Sequence, residues 1–104
     1  MQIRQGDVLL QKFNGTIPEG AVKVTPKAGR YVLAEGEATG HAHTIVESDA
    51  VALYEKDGVL YLKVLEPNPM EHQEHSVVTP DSGIWFKPPQ VEWSSAMEPR
   101  RVTD

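Results

Sequence analysis

The segment Val51-Ala52-Leu53-Tyr54-Glu55-Lys56-Asp57-Gly58-Val59-Leu60-Tyr61-Leu62-Lys63-Val64-Leu65 decides the fold class. Two runs rich in β-branched, aromatic and aliphatic residues flank Asp57-Gly58. That dipeptide suits a two-residue type I′ turn, which needs positive φ at both central positions. The turn sets the register: Lys56 opposite Val59, Tyr54 opposite Tyr61, Leu53 opposite Leu62, Val51 opposite Val64. One face then carries Val51, Leu53, Leu60, Leu62 and Val64, with Glu55 near the turn. The other carries Ala52, Tyr54, Lys56, Val59, Tyr61 and Lys63. This is the pattern of an antiparallel sheet with one buried face.

Working outward, the same grammar repeats. Asp7–Phe13 reads as a strand ending at the turn signal Asn14-Gly15. Ala21–Thr25 lies between Pro18-Glu19-Gly20 and Pro26. Arg30–Glu35 follows, and then a small-residue turn from Gly36 to Gly40. His41–Glu47, Ser76–Thr79, Ile84–Lys87 and Val91–Trp93 complete the extended segments. The stretch Glu66–His75 breaks the β pattern. There Asn68 could cap a one-turn helix, with Pro69 at its first position and Glu71 at the capping-box position. No segment keeps a 3.6-residue period. The expectation is an all-β, single-domain barrel or sandwich spanning 1–104. One short helical turn is expected near residues 69–75, and an irregular tail at 94–104.

Composition bounds the function. The chain has 104 residues, 39% hydrophobic and 24% charged, with 8 Gly and 8 Pro. That suffices for one thin core, to which an oligomer or a metal would add stability. The formal charge is −5. Residues 1–52 carry 5 basic and 6 acidic side chains, and residues 53–104 carry 5 and 9. Arg100-Arg101 is the one basic pair, so a phosphate-tracking stripe is missing and nucleic acid is not an expected partner. No cysteine is present, which removes disulfides, thiolate metal sites and a cysteine nucleophile. No apolar run approaches the roughly 20 residues of a membrane-spanning helix. Met1–Asp7 has no apolar stretch of signal-peptide length, so a cytoplasmic location is expected. Trp93, beside a polar tail, would suit a subunit contact.

All four histidines fall in two tight pairs: His41-Ala42-His43 and His72-Gln73-Glu74-His75. In a strand, His41 and His43 share a face, continued by Ile45 and Glu47. His72 and His75 share a face on a helical turn. Convergence of the two pairs would create a site for a divalent ion (Zn, Mn, Ni or Fe), with His41, His43, His72 and His75 as ligands. A bound ion of that kind can lower the pKa of a coordinated water, so a metal-assisted hydrolase or lyase acting on a small molecule is one expectation. Glu47 and Glu74 are the candidate catalytic carboxylates. The alternative is a non-catalytic homo-oligomeric assembly or interaction module, with the histidines at an interface.

The motifs Arg4-Gln5-Gly6-Asp7-Val8-Leu9-Leu10, Gly36-Glu37-Ala38-Thr39-Gly40-His41-Ala42-His43, His72-Gln73-Glu74-His75, Gln90-Val91-Glu92-Trp93 and Arg101-Val102-Thr103-Asp104 occur in this order. The chain thereby resembles a family of small bacterial and phage-type proteins without an assigned activity. Trp93 stands where that pattern more often has tyrosine. The resemblance implies domain boundaries and a phage-related setting for the assembly alternative, and no reaction. A partial likeness to the cupins rests on His41, His43 and Glu47, which match the start of their first motif. Gly58 is too distant to supply that motif's glycine, and His72 and His75 precede Pro80 and Gly83 instead of following such a turn.

Overall fold

The computed structural model describes residues 1–35, 41–88, 91–93 and 99–101. Among these residues eleven strands follow one another, all paired antiparallel: β1 (Gln2–Gln5), β2 (Val8–Phe13), β3 (Val22–Lys23), β4 (Arg30–Glu35), β5 (Ala42–Val46), β6 (Val51–Lys56), β7 (Val59–Val64), β8 (Met70–Glu71), β9 (Gly83–Lys87), β10 (Val91–Trp93) and β11 (Pro99–Arg101). A six-stranded sheet has the order β1-β2-β9-β7-β6-β3, and a three-stranded sheet the order β4-β5-β8. Strands β10 and β11 form a separate pair. The two larger sheets pack as a sandwich, and they do not close into a barrel.

The β6–β7 hairpin has the expected register, from Lys56↔Val59 to Val51↔Val64. Asp57 and Gly58 both have positive φ, 52° and 80°. The core follows from these alternations. The six-stranded sheet contributes Val8, Leu10, Val51, Leu53, Leu62, Val64 and Trp85, and the smaller sheet contributes Tyr31, Leu33, Ile45 and Met70. Each is at most 5% exposed, so facing strands exclude water between the layers. Trp85 satisfies its buried indole by donating from Nε1 to the Asp81 carbonyl, 2.9 Å away.

Three features differ from expectation. No helix occurs among the described residues, and the turn predicted over 69–75 is instead strand β8 followed by a bend. Asn68 caps nothing: its side-chain amide donates to the Glu66 carbonyl, and its backbone N–H donates to Pro80 O. Met70 is drawn into the smaller sheet by pairing with Ile45, and its backbone exchanges hydrogen bonds with Val78. Tertiary pairing thus outcompetes a one-turn helix, which has too few bonds to offset its nucleation cost. Second, Gln2–Gln5 is a strand, joined to β2 through Gly6-Asp7. Positive φ at Gly6 (56°) and not at Asp7 is the signature of a II′ turn. Third, Pro99–Arg101, inside the stretch expected to be irregular, pairs with Val91–Trp93. The Gly36–Gly40 turn, the Trp93 side chain and the rest of the tail lie outside the described residues. Among the described residues no helix is long and apolar enough to cross a membrane.

Candidate histidine site

The site forms where the smaller sheet meets the β1–β2 turn. β5 carries His43 on its inward face, one step from Ile45, and both are fully buried. Opposite His43 the β4–β5 ladder slips: Val32 pairs with Thr44 and Ala34 with His43, so Leu33 is an extra residue. Such a bulge redirects neighbouring side chains. His41 immediately precedes β5. His72 and His75 lie on the loop from His72 to Val77, whose ends are drawn together by the Met70–Val78 bridge.

Polar side chains hold this loop on β5. Gln73 Oε1 accepts the Ala42 N–H at 2.9 Å, taking the place of a further ladder bond. Glu71 Oε1 sits 2.7 Å from Arg30 Nη1, which also donates to Thr44 Oγ1 at 3.1 Å. Glu74 contributes twice. Its carboxylate Oε1 lies 2.8 Å from His41 Nδ1, and its backbone N–H donates to His72 Nδ1 at 3.0 Å.

The two histidine pairs meet. Ring centroids are separated by 5.7 Å for His41–His72, 4.3 Å for His43–His72, 4.5 Å for His72–His75 and 5.8 Å for His43–His75. Imidazoles sharing one tetrahedral ion, at metal–nitrogen distances of about 2.0–2.1 Å, have centroids roughly 5 Å apart. The spacing therefore suits a common ion, but the ring orientation does not. His43 and His75 are inclined by only 13°, and His72 is tilted by 35° and 36° from His43 and His75. Near-parallel rings aim their in-plane lone pairs along one another instead of at a shared point. Among the described residues no group of three or more His, Asp or Glu side chains is arranged to hold a metal ion.

Of the two candidate carboxylates, the structure brings Glu74 to the histidines. Glu47 is exposed and lies beyond the far end of β5. It is four residues from His43, about 13 Å along extended chain. Alternation put Glu47 on the right face but too far along it.

Two residues that the sequence reading left without a role complete the site. Gln5 is 2% exposed. Its Nε2 donates to Met70 O at 2.8 Å and to Ser76 O at 2.9 Å, and its Oε1 lies 2.8 Å from His43 Nδ1. Gly6 underlies the His75 ring so closely that a Cβ there would fall 2.6 Å from Cδ2 and 2.9 Å from Cε1. The signal was present in the sequence. Gly-Asp is itself a two-residue hairpin turn, and it pairs Gln5 with Val8. Paired residues share a face, so an inward Val8 implies an inward Gln5.

An open cleft of about 350 Å³ flanks the site, lined by Arg30, Ala42, Thr44, Glu71, His72 and Gln73. His72 Nδ1 accepts a hydrogen bond, so its proton sits on Nε2. That nitrogen is buried and has no hydrogen-bond partner among the described residues. No curated protein and no solved structure matches the chain. A family model matches residues 4–88, a stretch holding Gln5, Gly6 and all four histidines, and the chain belongs to the family described as Domain of unknown function (DUF8820).

Proposed function

We propose that this domain binds a divalent transition-metal ion through His41, His43, His72 and His75. The observation that carries this reading is the meeting of four imidazoles from two distant segments, with centroids 4.3 to 5.8 Å apart. Imidazole donors suit Zn, Ni, Mn and Fe. His43 is anchored in the core, whereas His72 and His75 ride on a loop. Binding accordingly requires these two rings to turn out of their stack. Turning His72 gives up the hydrogen bond that its Nδ1 accepts from Glu74 N–H, whereas its buried Nε2–H has none to lose.

Catalysis by a hydrolase or lyase route would draw on Glu74, the carboxylate already beside His41. The adjoining cleft has room for a small-molecule substrate. Metal analysis and calorimetric titration of untagged protein with Zn, Ni, Mn and Fe test the reading. About one ion per chain is the expected result. Less than about 0.2 per chain, unchanged by added metal, ends it.

The second reading is a cytoplasmic homo-oligomeric assembly module. It rests on an apolar side chain left in solvent on an edge strand: Val22 on β3, the last strand of the six-stranded sheet, is 68% exposed. Exposed edges of this kind favour pairing with another chain. The complete burial of His43 argues against that imidazole taking part in such a contact. Light scattering over a concentration series separates the two readings.

A further inference from the structure

We propose that Gln5 is the positioning residue of this site, fixing which nitrogen of His43 is offered to a ligand. The amide of Gln5 has no freedom to flip. Its NH2 group donates to two carbonyls, Met70 O and Ser76 O. Turning the amide over would set its oxygen against two other oxygens and leave buried acceptors unmet. Oε1 therefore faces His43 Nδ1 at 2.8 Å. Because an amide oxygen only accepts, Nδ1 must carry the hydrogen. In neutral His43 the lone pair then resides on Nε2.

Hydrogen bonds fix the tautomers of two further imidazoles in the cluster. His41 Nδ1 donates to the Glu74 carboxylate, so its lone pair also falls on Nε2. His72 is the reverse: Nδ1 accepts from Glu74 N–H, and Nε2 bears the hydrogen. The β5 histidines are thereby prepared as Nε2 donors, each with an oxygen acceptor behind it, the arrangement that orients metal-ligating imidazoles. Gln5 does more than orient a ring. The two carbonyls it clamps bracket the loop carrying His72 and His75. One buried side chain thus ties the tautomer on β5 to the placement of the second histidine pair. The consequence for metal uptake rests on the metal-binding reading; the tautomer assignment does not.

Long-range 1H–15N spectra of uniformly labelled protein at neutral pH read the tautomer directly. His43 is expected as the Nδ1–H form in the wild type. Gln5→Leu removes the acceptor and should give a mixed or Nε2–H population, with Ni or Zn affinity reduced about 10- to 100-fold. Gln5→Glu keeps an acceptor oxygen and should restore the Nδ1–H form. It remains decisive together with the wild type if Gln5→Leu does not fold. A wild-type His43 in the Nε2–H form overturns the proposal. So does a Gln5→Leu variant that loses metal affinity while its tautomer stays unchanged. If the tautomer follows Gln5 as expected and no variant takes up metal, the role of Gln5 stands and the metal reading falls.

Discussion

Replacing Gly6 by alanine should be among the most damaging single-methyl changes in this protein. Two costs act at once. Gly6 has φ of +56°, where an L side chain pays about 1–2 kcal/mol. The added Cβ would also fall within 3 Å of three atoms of the His75 ring. The ring must move, at an overpacking cost of about 1–3 kcal/mol. The two effects together give about 2–5 kcal/mol. For a domain of this size that lowers Tm by on the order of 10–25 °C. Gly29→Ala is the internal control, since Gly29 also has positive φ (78°) but a Cβ there meets nothing within 4 Å. It should cost the backbone part alone, about 1–2 kcal/mol. The assay is urea denaturation of both variants, repeated in a His75→Ala background. With the ring gone, the cost of Gly6→Ala should fall to that of Gly29→Ala. Equal costs of Gly6→Ala with and without His75 would show that the ring does not rest on Gly6, and the proposed link between the β1–β2 turn and the histidine loop would fail.

Other expectations are simpler. His43→Ala should cost about 2–4 kcal/mol in chemical denaturation, because it opens a cavity and strands the buried Gln5 carbonyl oxygen; it should also abolish metal uptake, and retained stoichiometric binding would exclude His43 as a ligand. Leu53→Ala, at a core position with no exposure, should destabilise by about 2–5 kcal/mol without changing the far-ultraviolet dichroism of the folded state. Arg30→Ala should cost under about 1 kcal/mol, since the Arg30–Glu71 pair is roughly two-fifths exposed on both sides; a larger loss would mean that this pair contributes more to holding the loop on β5 than an exposed ion pair does. Metal affinity measured by calorimetry should fall on acidification, because protons compete with the ion for imidazole nitrogen, and an affinity that rises as pH falls would contradict imidazole ligation.

Local rules carried most of the fold. Asp57-Gly58 dictated a turn whose geometry admits one register, and alternation on either side of it named the buried face of β6 and β7 before any contact was known. β4 and β9 were legible for the same reason: each is a short apolar run closed by turn residues. Gly6-Asp7 obeys the same rule as Asp57-Gly58, and it carries with it β1 and the inward side chain of Gln5. Residues 69–75 depart from local preference for a different reason. Pro69 and Glu71 favour a helical start locally, yet Met70 gains more by filling the core and pairing with Ile45 and Val78, partners that no window around residue 70 contains.

The histidine site divides along the same line. That the imidazoles come in two pairs and that His43 shares a face with Ile45 follows from neighbouring residues alone, because strand alternation is a local property. That residues 41 and 43 meet 72 and 75, that Glu74 joins them while Glu47 stays apart, and that Gln5 faces Nδ1 of His43 emerges with the folded chain. Those outcomes depend on pairings between residues some 30 to 70 positions apart, and their geometry is set by packing two sheets against one core.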